Sequence, residues 1–317
     1  MLFSIVNILC GIFTLVEFNC ENLFDCQHDT LKEDQEFLPS STRRWTTHRY
    51  WEKLDNVGQE IIACGVDGDD WQLPDLVALC EVENDSVCRD LAKRSLLRKA
   101  GYEYIVTQSP DVRGIDVALL YSPFTFRLIN HRAIRVEPLK NMRPTRDILY
   151  ASGELQSGDT LHVFIVHAPS RFGGERHTRP HRLRVAEHLS AAVDSVRALN
   201  PQAMIVIAGD MNDPHDGHLP QRIEAMGMQN ISRQAQGQHG ARGTYKHQGL
   251  WQSIDHIFAS PTLATTCRSC FINDAPFLLE EDSKYGGVMP HRNYVGLRYH
   301  NGYSDHLPLV ARFEFAQ

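Results

Sequence analysis

The stretch Gly302-Tyr303-Ser304-Asp305-His306-Leu307-Pro308-Leu309-Val310 places a carboxylate and an imidazole directly before an apolar run near the end of the chain. The run from Leu309 to Phe315 has the composition of a buried β-strand. A strand end that projects Asp305 and His306 into a loop is a common way to build a rigid catalytic corner. An Asp-His pair alone is more often part of a capped turn. It indicates an active site only if similar strand ends occur elsewhere in the chain.

The same construction, an apolar strand that ends in acid, amide or imidazole groups, recurs five times earlier in the chain. The five stretches are Phe18-Asn19-Cys20-Glu21-Asn22, Leu79-Cys80-Glu81-Val82-Glu83, Val166-His167-Ala168-Pro169-Ser170, Ala208-Gly209-Asp210-Met211-Asn212-Asp213 and Ser253-Ile254-Asp255-His256-Ile257. The last of these places its Asp inside a short strand. We expect these strand ends to converge on one rim of the fold.

The size and composition of the chain favour one large domain. Its 317 residues are 42% hydrophobic, which is enough to bury a substantial core, and no linker, charge block or repeat marks a boundary. We therefore assign residues 1–317 to a single domain, with residues 1–11 left open as a degenerate signal or a disordered start. The net charge of −7 argues against a broad basic surface for non-specific nucleic-acid binding, but it leaves room for a local basic patch.

The cysteines and the N-terminus give little sign of export or of a membrane anchor. The eight cysteines form no disulfide framework, and Cys267 and Cys270 make one CxxC without the second half of a zinc ribbon. The apolar start, Met1 to Val16, lacks a basic n-region and is shorter than the roughly 20 apolar residues that span a bilayer. We expect no transmembrane segment and no obligate protein partner. The cytoplasm is slightly favoured, and export by a degenerate signal is left open.

The order of predicted strands and helices decides the fold class. Helices are predicted over residues 48–66, 84–99 and 180–199. Strands are predicted over residues 12–18, 76–79, 102–107, 115–121, 126–136, 148–155, 161–166, 204–208, 254–258 and 309–315. Several strands follow one another without helices, whereas long helices follow Glu81 and Ser170. This order predicts an α/β four-layer sandwich, with two mixed, mainly antiparallel β-sheets packed face to face and helices outside.

The polar groups at the strand ends match the needs of metal-assisted phosphoester hydrolysis. Hard divalent cations such as Mg²⁺ prefer carboxylate and amide oxygens, a role that Glu81 and Glu21 fit. A water molecule that attacks phosphorus must be activated and aligned, and Asp210 and Asn212 could do both from one loop. The sequence therefore predicts a metal-dependent hydrolase.

Two histidines complete this set. His306 needs an orienting carboxylate, which Asp255 or Asp305 could provide. His167 is suited to donate a hydrogen bond to the non-bridging phosphate oxygens as charge builds on them in the transition state. Asp116 lies inside an apolar strand, and because a buried acid needs a partner, we predict that it orients His167.

These motifs resemble those of the endonuclease/exonuclease/phosphatase superfamily, which includes pancreatic-type deoxyribonuclease, abasic-site endonucleases, inositol polyphosphate 5-phosphatases and bacterial sphingomyelinases. The resemblance extends from about Phe13 to Phe315, with the motifs in family order. Its most specific parts are Gly209-Asp210-Met211-Asn212-Asp213 and Ser304-Asp305-His306. The resemblance implies a phosphoric ester hydrolase that uses Mg²⁺ or Mn²⁺.

The resemblance also implies a role for each residue that matches a motif. The implied metal ligands are Glu21, Glu81 and Asp305, with Glu81 as the principal one. The implied catalytic residues are His167, Asp210, Asn212, Asp255 and His306. Within this set, Asp210 activates the water, Asn212 helps to orient the phosphate, and Asp255 pairs with His306, which contacts the scissile phosphate. His167 stands where family members carry His or Tyr.

A further group of residues is expected to bind the substrate. It consists of Asn19, Arg143, Arg146, Ser170 and Arg171. Guanidinium groups fork onto phosphate oxygens, which is why the arginines near the motifs are included. Ser170 stands where some nucleases carry Asn, so a DNA-contacting role is not carried over to it.

Several alternatives remain open. Taken singly, Asp210 and Asp213 could cap a turn or a helix, and Asn19 could form an Asx-turn. The acidic net charge favours a small or lipid-derived phosphate as substrate, with a DNA or RNA endonuclease or exonuclease of the same superfamily as the alternative. A non-catalytic binding module that keeps the fold, and a zinc hydrolase built on the surplus histidines, are the alternatives from other classes.

Overall fold

The structure, a computed structural model, describes residues 11–140 and 142–315. Over these residues the strands, β1 to β20 in chain order, are Gly11–Leu23, Val66–Asp67, Asp70–Trp71, Leu76–Val82, Glu103–Val106, Asp116–Tyr121, Phe126–Ile134, Ile148–Leu155, Thr160–Ile165, Met204–Asp210, Gln229–Asn230, Tyr245–His247, Leu250–Gln252, Asp255–Ala259, Cys267–Ile272, Leu279–Glu281, Val288–Pro290, Tyr294–Val295, Arg298–Tyr299 and Leu309–Phe315. The α-helices, α1 to α5, are Thr47–Ala63, Asp85–Lys93, Glu175–Leu199, His218–Ala225 and Pro261–Ala264. None of these helices has the length and hydropathy that crossing a membrane requires. The prediction for residues 1–11 lies outside the described residues, apart from Gly11.

Two six-stranded sheets contain the longer strands. The first has the spatial order β15-β20-β1-β4-β6-β5, and the second has the order β11-β14-β10-β9-β8-β7. Neighbouring strands run antiparallel, except that β1 is parallel to β4 and β9 is parallel to β10. Both sheets are therefore mixed and mainly antiparallel, as predicted.

The period-two alternation of β1 shows how the layers arise. Phe13 and Leu15 belong to the apolar cluster between the two sheets, which also contains Val206 of β10. Val16 and Phe18 lie on the other face and pack in a cluster with apolar residues of α1 and α2. A third cluster joins the outer face of the second sheet to α3 and α4. The order helix, sheet, sheet, helix confirms the predicted four-layer sandwich.

Three elements differ from the prediction. Helix α3 begins at Glu175, before the predicted start at Pro180, and contains this proline. Helix α2 ends at Lys93, and a separate 3₁₀ turn covers Leu96–Lys99. The strand Cys267–Ile272 has no predicted counterpart; it pairs with β20 and places the CxxC at the edge of the first sheet.

Candidate active site

The polar strand ends meet around a cavity of about 600 Å³ at one edge of the sandwich. Its lining includes six of the predicted metal and catalytic residues, namely Glu81, His167, Asp210, Asn212, Asp305 and His306. A larger groove of about 790 Å³ lies between α3 and α4, but no predicted site residue lines it. The cavity at the strand ends is therefore the candidate active site.

The backbone at these strand ends adopts conformations that few residues other than glycine favour. Positive φ values between 49° and 61° occur at four polar residues, Glu21, Asn22, Glu81 and Asn212. Such strained residues cost energy and cluster at functional sites. Gly209 has a φ of 146°, and a Cβ atom there would lie 1.8 Å from the carbonyl oxygen of Val166. Glycine thus allows the end of β10 to approach the end of β9 this closely.

His306 is held by a carboxylate behind it. Its Nδ1 atom lies 2.8 Å from Asp255 Oδ2, which confirms the predicted pairing of these two residues. The other partner of Asp255 Oδ2 is the hydroxyl of Thr244, which donates to it. Burial lowers the pKa of His306, but the carboxylates of Asp255, Asp305 and Asp210 outweigh this effect and raise the pKa well above its ordinary value. The imidazole is therefore protonated near neutral pH.

Asp210 is the last residue of β10 and lies directly opposite Asp255, the first residue of β14. Three hydrogen bonds orient its carboxylate. Asn19 Nδ2 donates to Oδ2 at 3.1 Å, Asn212 N donates to Oδ1 at 2.7 Å, and Asn212 Nδ2 donates to Oδ2 at 3.1 Å. Burial and the negative charge of Asp255 raise the pKa of Asp210 to about 7. A carboxylate with such a pKa is suited to accept a proton from water.

His167 lies beside the same carboxylates. Its Nε2 atom is 3.5 Å from Asp210 Oδ2 and 3.9 Å from Glu81 Oε1. Burial and the positive charges of Arg146 and Arg113 hold the pKa of His167 well below its ordinary value. The imidazole is therefore neutral, and it can donate one hydrogen bond without carrying charge.

The prediction that Asp116 orients His167 is wrong. Asp116 Oδ1 accepts hydrogen bonds from Thr107 Oγ1 at 2.5 Å and from Ser109 N at 3.0 Å. His167 Nδ1, the atom that would need the partner, has no hydrogen bond to any described residue. The hydrogen-bond donors to Asp116 lie in the turn after β5, because that turn packs next to the start of β6. Asp116 therefore closes a turn and makes no hydrogen bond with the imidazole.

Carboxylate oxygens suited to a divalent cation lie at the cavity. Glu81 Oε2 accepts a hydrogen bond from Asn22 N at 2.9 Å, and both residues line the cavity. One oxygen each of Asp210 and Asp255 and one ring nitrogen of His306 lie within 4.8 Å of one another, a spacing that could hold a metal ion. Because His306 is protonated and bonded to Asp255, the oxygen donors suit a hard cation better than its nitrogen does.

Glu21, the second predicted metal ligand, does not line the cavity. Its Oε2 atom accepts a hydrogen bond from Asn293 N at 2.7 Å, and its Oε1 atom accepts one from Tyr294 N at 3.4 Å. Burial and the negative charge of Asp305 raise the pKa of Glu21 to about 7. Glu21 thus lies near Asp305 and contacts the backbone at β18.

Comparison with known proteins shows which family has this architecture. A family model described as the endonuclease/exonuclease/phosphatase family matches residues 14–314. The chain belongs to the endonuclease/exonuclease/phosphatase family. A search of curated proteins finds no match. Because the family consists of phosphoester hydrolases, membership supports enzymatic activity.

Solved structures with low sequence identity share the fold of this endonuclease/exonuclease/phosphatase family member. A mannosyl-6-phosphatase of Bacteroides thetaiotaomicron has a TM-score of 0.63 at 14% identity, over 96% of this chain and 100% of that chain. An endonuclease/exonuclease/phosphatase family protein of the same bacterium has a TM-score of 0.61 at 13% identity, over 97% and 99%. Truncated TDP2 of Caenorhabditis elegans has a TM-score of 0.59 at 17% identity, over 96% and 98%.

The predicted substrate-binding residues occupy different places in this family member. Arg146, Ser170 and Arg171 line the candidate active site, whereas Arg143 lines a second cavity that adjoins it. Asn19 does not line either cavity; it is buried, and its amide donates a hydrogen bond to Asp210 Oδ2. This corrects the predicted place of Asn19, because β1 carries its side chain inwards.

Several residues of the cavity escaped the sequence analysis. They include Asn22, Arg113, Phe172, Tyr245 and Gln252. The ring centroid of Tyr245 is 4.9 Å from that of His306, and Arg113 Nη1 is 4.0 Å from Glu81 Oε1. No motif marks these positions. The sequence Asp111-Val112-Arg113-Gly114 predicts a turn, but it does not indicate that the turn places Arg113 at the cavity.

One face of α1 holds the loop that precedes β20. Lys53, Asn56 and Gln59 are spaced three residues apart, which places them along one side of the helix. Lys53 Nζ donates to the carbonyl oxygen of Tyr303, and Asn56 Nδ2 donates to that of Gly302 at 3.0 Å. Gln59 Oε1 accepts a hydrogen bond from the Tyr303 hydroxyl at 3.1 Å. The helix therefore supports the two residues that precede the Ser-Asp-His motif.

Proposed function

We propose that the protein is a divalent-metal-dependent hydrolase of phosphoester bonds, acting as a phosphodiesterase or phosphatase. The observation that carries this proposal is the convergence of Glu81, Asp210 and His306 on one cavity. They come from β4, β10 and the loop before β20, which are far apart in the sequence. A carboxylate for a cation, a carboxylate base and a protonated imidazole are the groups that metal-assisted hydrolysis at phosphorus needs.

The donor set favours Mg²⁺ or Mn²⁺ as the cofactor. Glu81 is the proposed principal ligand, and Asp305 lines the same cavity with a second carboxylate. Hard cations bind such oxygens and keep several water ligands. When bound, the cation supplies positive charge beside the phosphate oxygens. Glu21 lies near Asp305 but outside the cavity, and we propose that its negative charge supports cation binding there.

Asp210 is the proposed general base. Its two oxygens are fixed by amides, so the carboxylate can present a lone pair to a water molecule in one orientation. Asn212 Nδ2 also donates to the carbonyl oxygen of Ala168 at 3.0 Å, which fixes the amide that lines the cavity. A base with a pKa near neutrality is ionised to a substantial extent at neutral pH and still has enough proton affinity to accept a proton from water.

The two histidines are proposed to divide the stabilisation of charge. His306 carries a positive charge that Asp255 maintains, so it can neutralise developing charge on the phosphate or protonate the leaving oxygen. His167 is neutral and can donate a hydrogen bond to a non-bridging oxygen. The two rings differ in charge because the carboxylates of Asp255, Asp305 and Asp210 raise the pKa of His306. Burial, together with the charges of Arg146 and Arg113, lowers the pKa of His167.

A small or lipid-derived phosphate is the preferred substrate class, because the net charge is −7. Cleavage of DNA or RNA is the second candidate, and it is favoured by Arg113, Arg146 and Arg171, which line the cavity. Salt discriminates between them. Affinity for a nucleic acid should fall steeply as salt rises, whereas affinity for a small monoanionic ester should change little.

A panel of phosphate esters tests the proposed function. It should include bis(p-nitrophenyl) phosphate, p-nitrophenyl phosphate, a hexose phosphate, a glycerophosphodiester and a short oligonucleotide, each with Mg²⁺, Mn²⁺, Ca²⁺ or Zn²⁺. We expect hydrolysis with Mg²⁺ or Mn²⁺ that a chelator abolishes and that His306→Ala reduces at least about 100-fold. His300→Ala, a change to a histidine outside the cavity, is the matched control. Absence of hydrolysis with every ester would favour a binding module, and activity with Zn²⁺ alone would favour a zinc hydrolase.

A further inference from the structure

A second cavity, with a volume of about 530 Å³, adjoins the catalytic cavity. Four residues line both cavities, namely Arg113, Arg146, Ser170 and Phe172. The remaining wall comes from the turn before β6, from Pro169, from the segment that precedes β8 and from the first turns of α3. A substrate bound at the catalytic residues can therefore extend directly into this second space.

The lining of the second cavity has more basic than acidic side chains. Arg113, Arg143 and Arg146 line it, against a single carboxylate, that of Asp111. Asp111 Oδ2 is already bonded to Arg146 Nη1 at 3.1 Å. Arg143 is exposed and makes no hydrogen bond or ion pair with any described residue. An unpaired guanidinium in a concave site with excess positive charge is suited to bind a phosphate group.

The second cavity also has apolar surface, part of it at the boundary with the first cavity. Phe172 lines both, and 92% of its surface is exposed. Met142, Pro144 and Pro169 add further apolar surface on the side of the second cavity. A large aromatic side chain left open to water beside a catalytic site offers a flat surface for a ring of the substrate.

We propose that the second cavity binds a second phosphate group of the substrate, carried by the organic moiety that is esterified to the scissile phosphate. Arg143 binds this phosphate, and Phe172 contacts the moiety that links the two phosphates. This assignment rests on the proposed function and specifies its substrate class, a bisphosphorylated compound. The linking moiety is a nucleoside or a hexose, and both present a ring to Phe172.

Binding measurements test the assignment without any turnover. Calorimetry in the presence of Ca²⁺ should compare thymidine 3′,5′-bisphosphate with thymidine 5′-monophosphate, and glucose 1,6-bisphosphate with glucose 6-phosphate. We expect the bisphosphate of at least one pair to bind about tenfold or more tightly than its monophosphate, a gain of about 1.4 kcal/mol, because the second phosphate adds a charge-assisted hydrogen bond. The pair that shows the gain identifies the linking moiety. Equal affinities within both pairs would overturn the proposal.

Substitutions locate the second phosphate. Arg143→Ala should bring the affinity of the preferred bisphosphate down to that of its monophosphate, and Arg143→Lys should retain part of the gain. Phe172→Ala should weaken the binding of both members of the preferred pair. Arg222→Ala, at an exposed arginine of α4 outside both cavities, is the matched control. A gain that survives Arg143→Ala would overturn the assignment.

The two proposals fail in different ways. If the protein hydrolyses bis(p-nitrophenyl) phosphate but binds mono- and bisphosphates equally, the phosphoesterase function stands and the second-phosphate site is wrong. If bisphosphates bind through Arg143 but no ester is hydrolysed with any metal, the site is correct and the catalytic proposal is wrong.

Discussion

His306 Nδ1 lies 2.8 Å from Asp255 Oδ2, although 51 positions separate the two residues in the sequence. Both side chains are buried, so the charge of the carboxylate acts on the imidazole with little screening by water. This pair fixes the ring orientation and keeps His306 protonated, which the proposed chemistry requires.

Asp255→Asn should therefore remove catalysis while leaving the fold intact. The amide has nearly the same shape, but it cannot maintain the charge of the imidazole, so kcat should fall by about 10² to 10⁴. The measurement is kcat for bis(p-nitrophenyl) phosphate, with circular dichroism to verify folding. A well-folded variant with kcat within twofold of the wild type would show that the pair is only structural.

Lys53→Met tests whether α1 positions the catalytic loop. The ammonium group is fully buried and bonded to the Tyr303 carbonyl, so its loss should let the following residues shift and lower kcat by about tenfold or more. Lys93→Met is the matched control, because Lys93 Nζ also bonds a backbone carbonyl, that of Tyr102, but on α2 away from the cavity. Equal losses of kcat in both variants would contradict a specific role of Lys53.

Asp116→Asn should affect stability and leave the chemistry unchanged. Its carboxylate accepts hydrogen bonds from Thr107 and Ser109, and an amide placed there would turn an N–H towards one of these donors. We expect the free energy of unfolding to fall by about 1–3 kcal/mol, with kcat within about twofold. The checks are urea denaturation and steady-state kinetics. A large loss of kcat at unchanged stability would restore the role in orienting His167.

Glu60→Gln should make the protein more stable at high pH. Both carboxylate oxygens of Glu60 are buried without a hydrogen-bond partner among the described residues, and burial raises the pKa of Glu60 well above its ordinary value. The folded state therefore binds this proton more tightly than the unfolded state, and the resulting stability is lost as pH rises above about 4.3, at up to about 1.4 kcal/mol per pH unit.

Urea denaturation at pH 5 and pH 8 measures this effect. The glutamine variant should gain stability over the wild type at pH 8 and gain much less at pH 5. Other buried acids with raised pKa values, such as Asp75 at about 6 and Glu83 at about 8, leave a residual pH dependence in both proteins. The same stability difference at both pH values would show that Glu60 is not the group that titrates.

Sequence reasoning located the strand ends well, because each motif combines local turn chemistry with an apolar strand. The residues alone left Asp255 and Asp305 as alternative partners of His306, and it was the family resemblance that implied Asp255, the residue that lies 2.8 Å from His306 Nδ1. The partners of Asp116 could not be predicted. They are the Thr107 hydroxyl and the Ser109 backbone N–H, and such hydrogen-bond donors occur in most loops. Tyr245 and Arg113 were missed for a related reason. Their proximity to His306 and Glu81 arises from the packing of distant loops, which leaves no periodic or motif signal.

The most direct test of the account compares two glutamates that lie two positions apart. Glu81 lines the cavity, whereas Glu83 Oε2 accepts a hydrogen bond from Asp25 N at 2.7 Å and does not line it. The measurement is Mn²⁺ affinity by calorimetry together with Mn²⁺-dependent hydrolysis of bis(p-nitrophenyl) phosphate. We predict that Glu81→Gln weakens Mn²⁺ binding at least about tenfold and abolishes hydrolysis, while Glu83→Gln retains both. Wild-type metal affinity and activity in Glu81→Gln would contradict a catalytic cation held at this cavity.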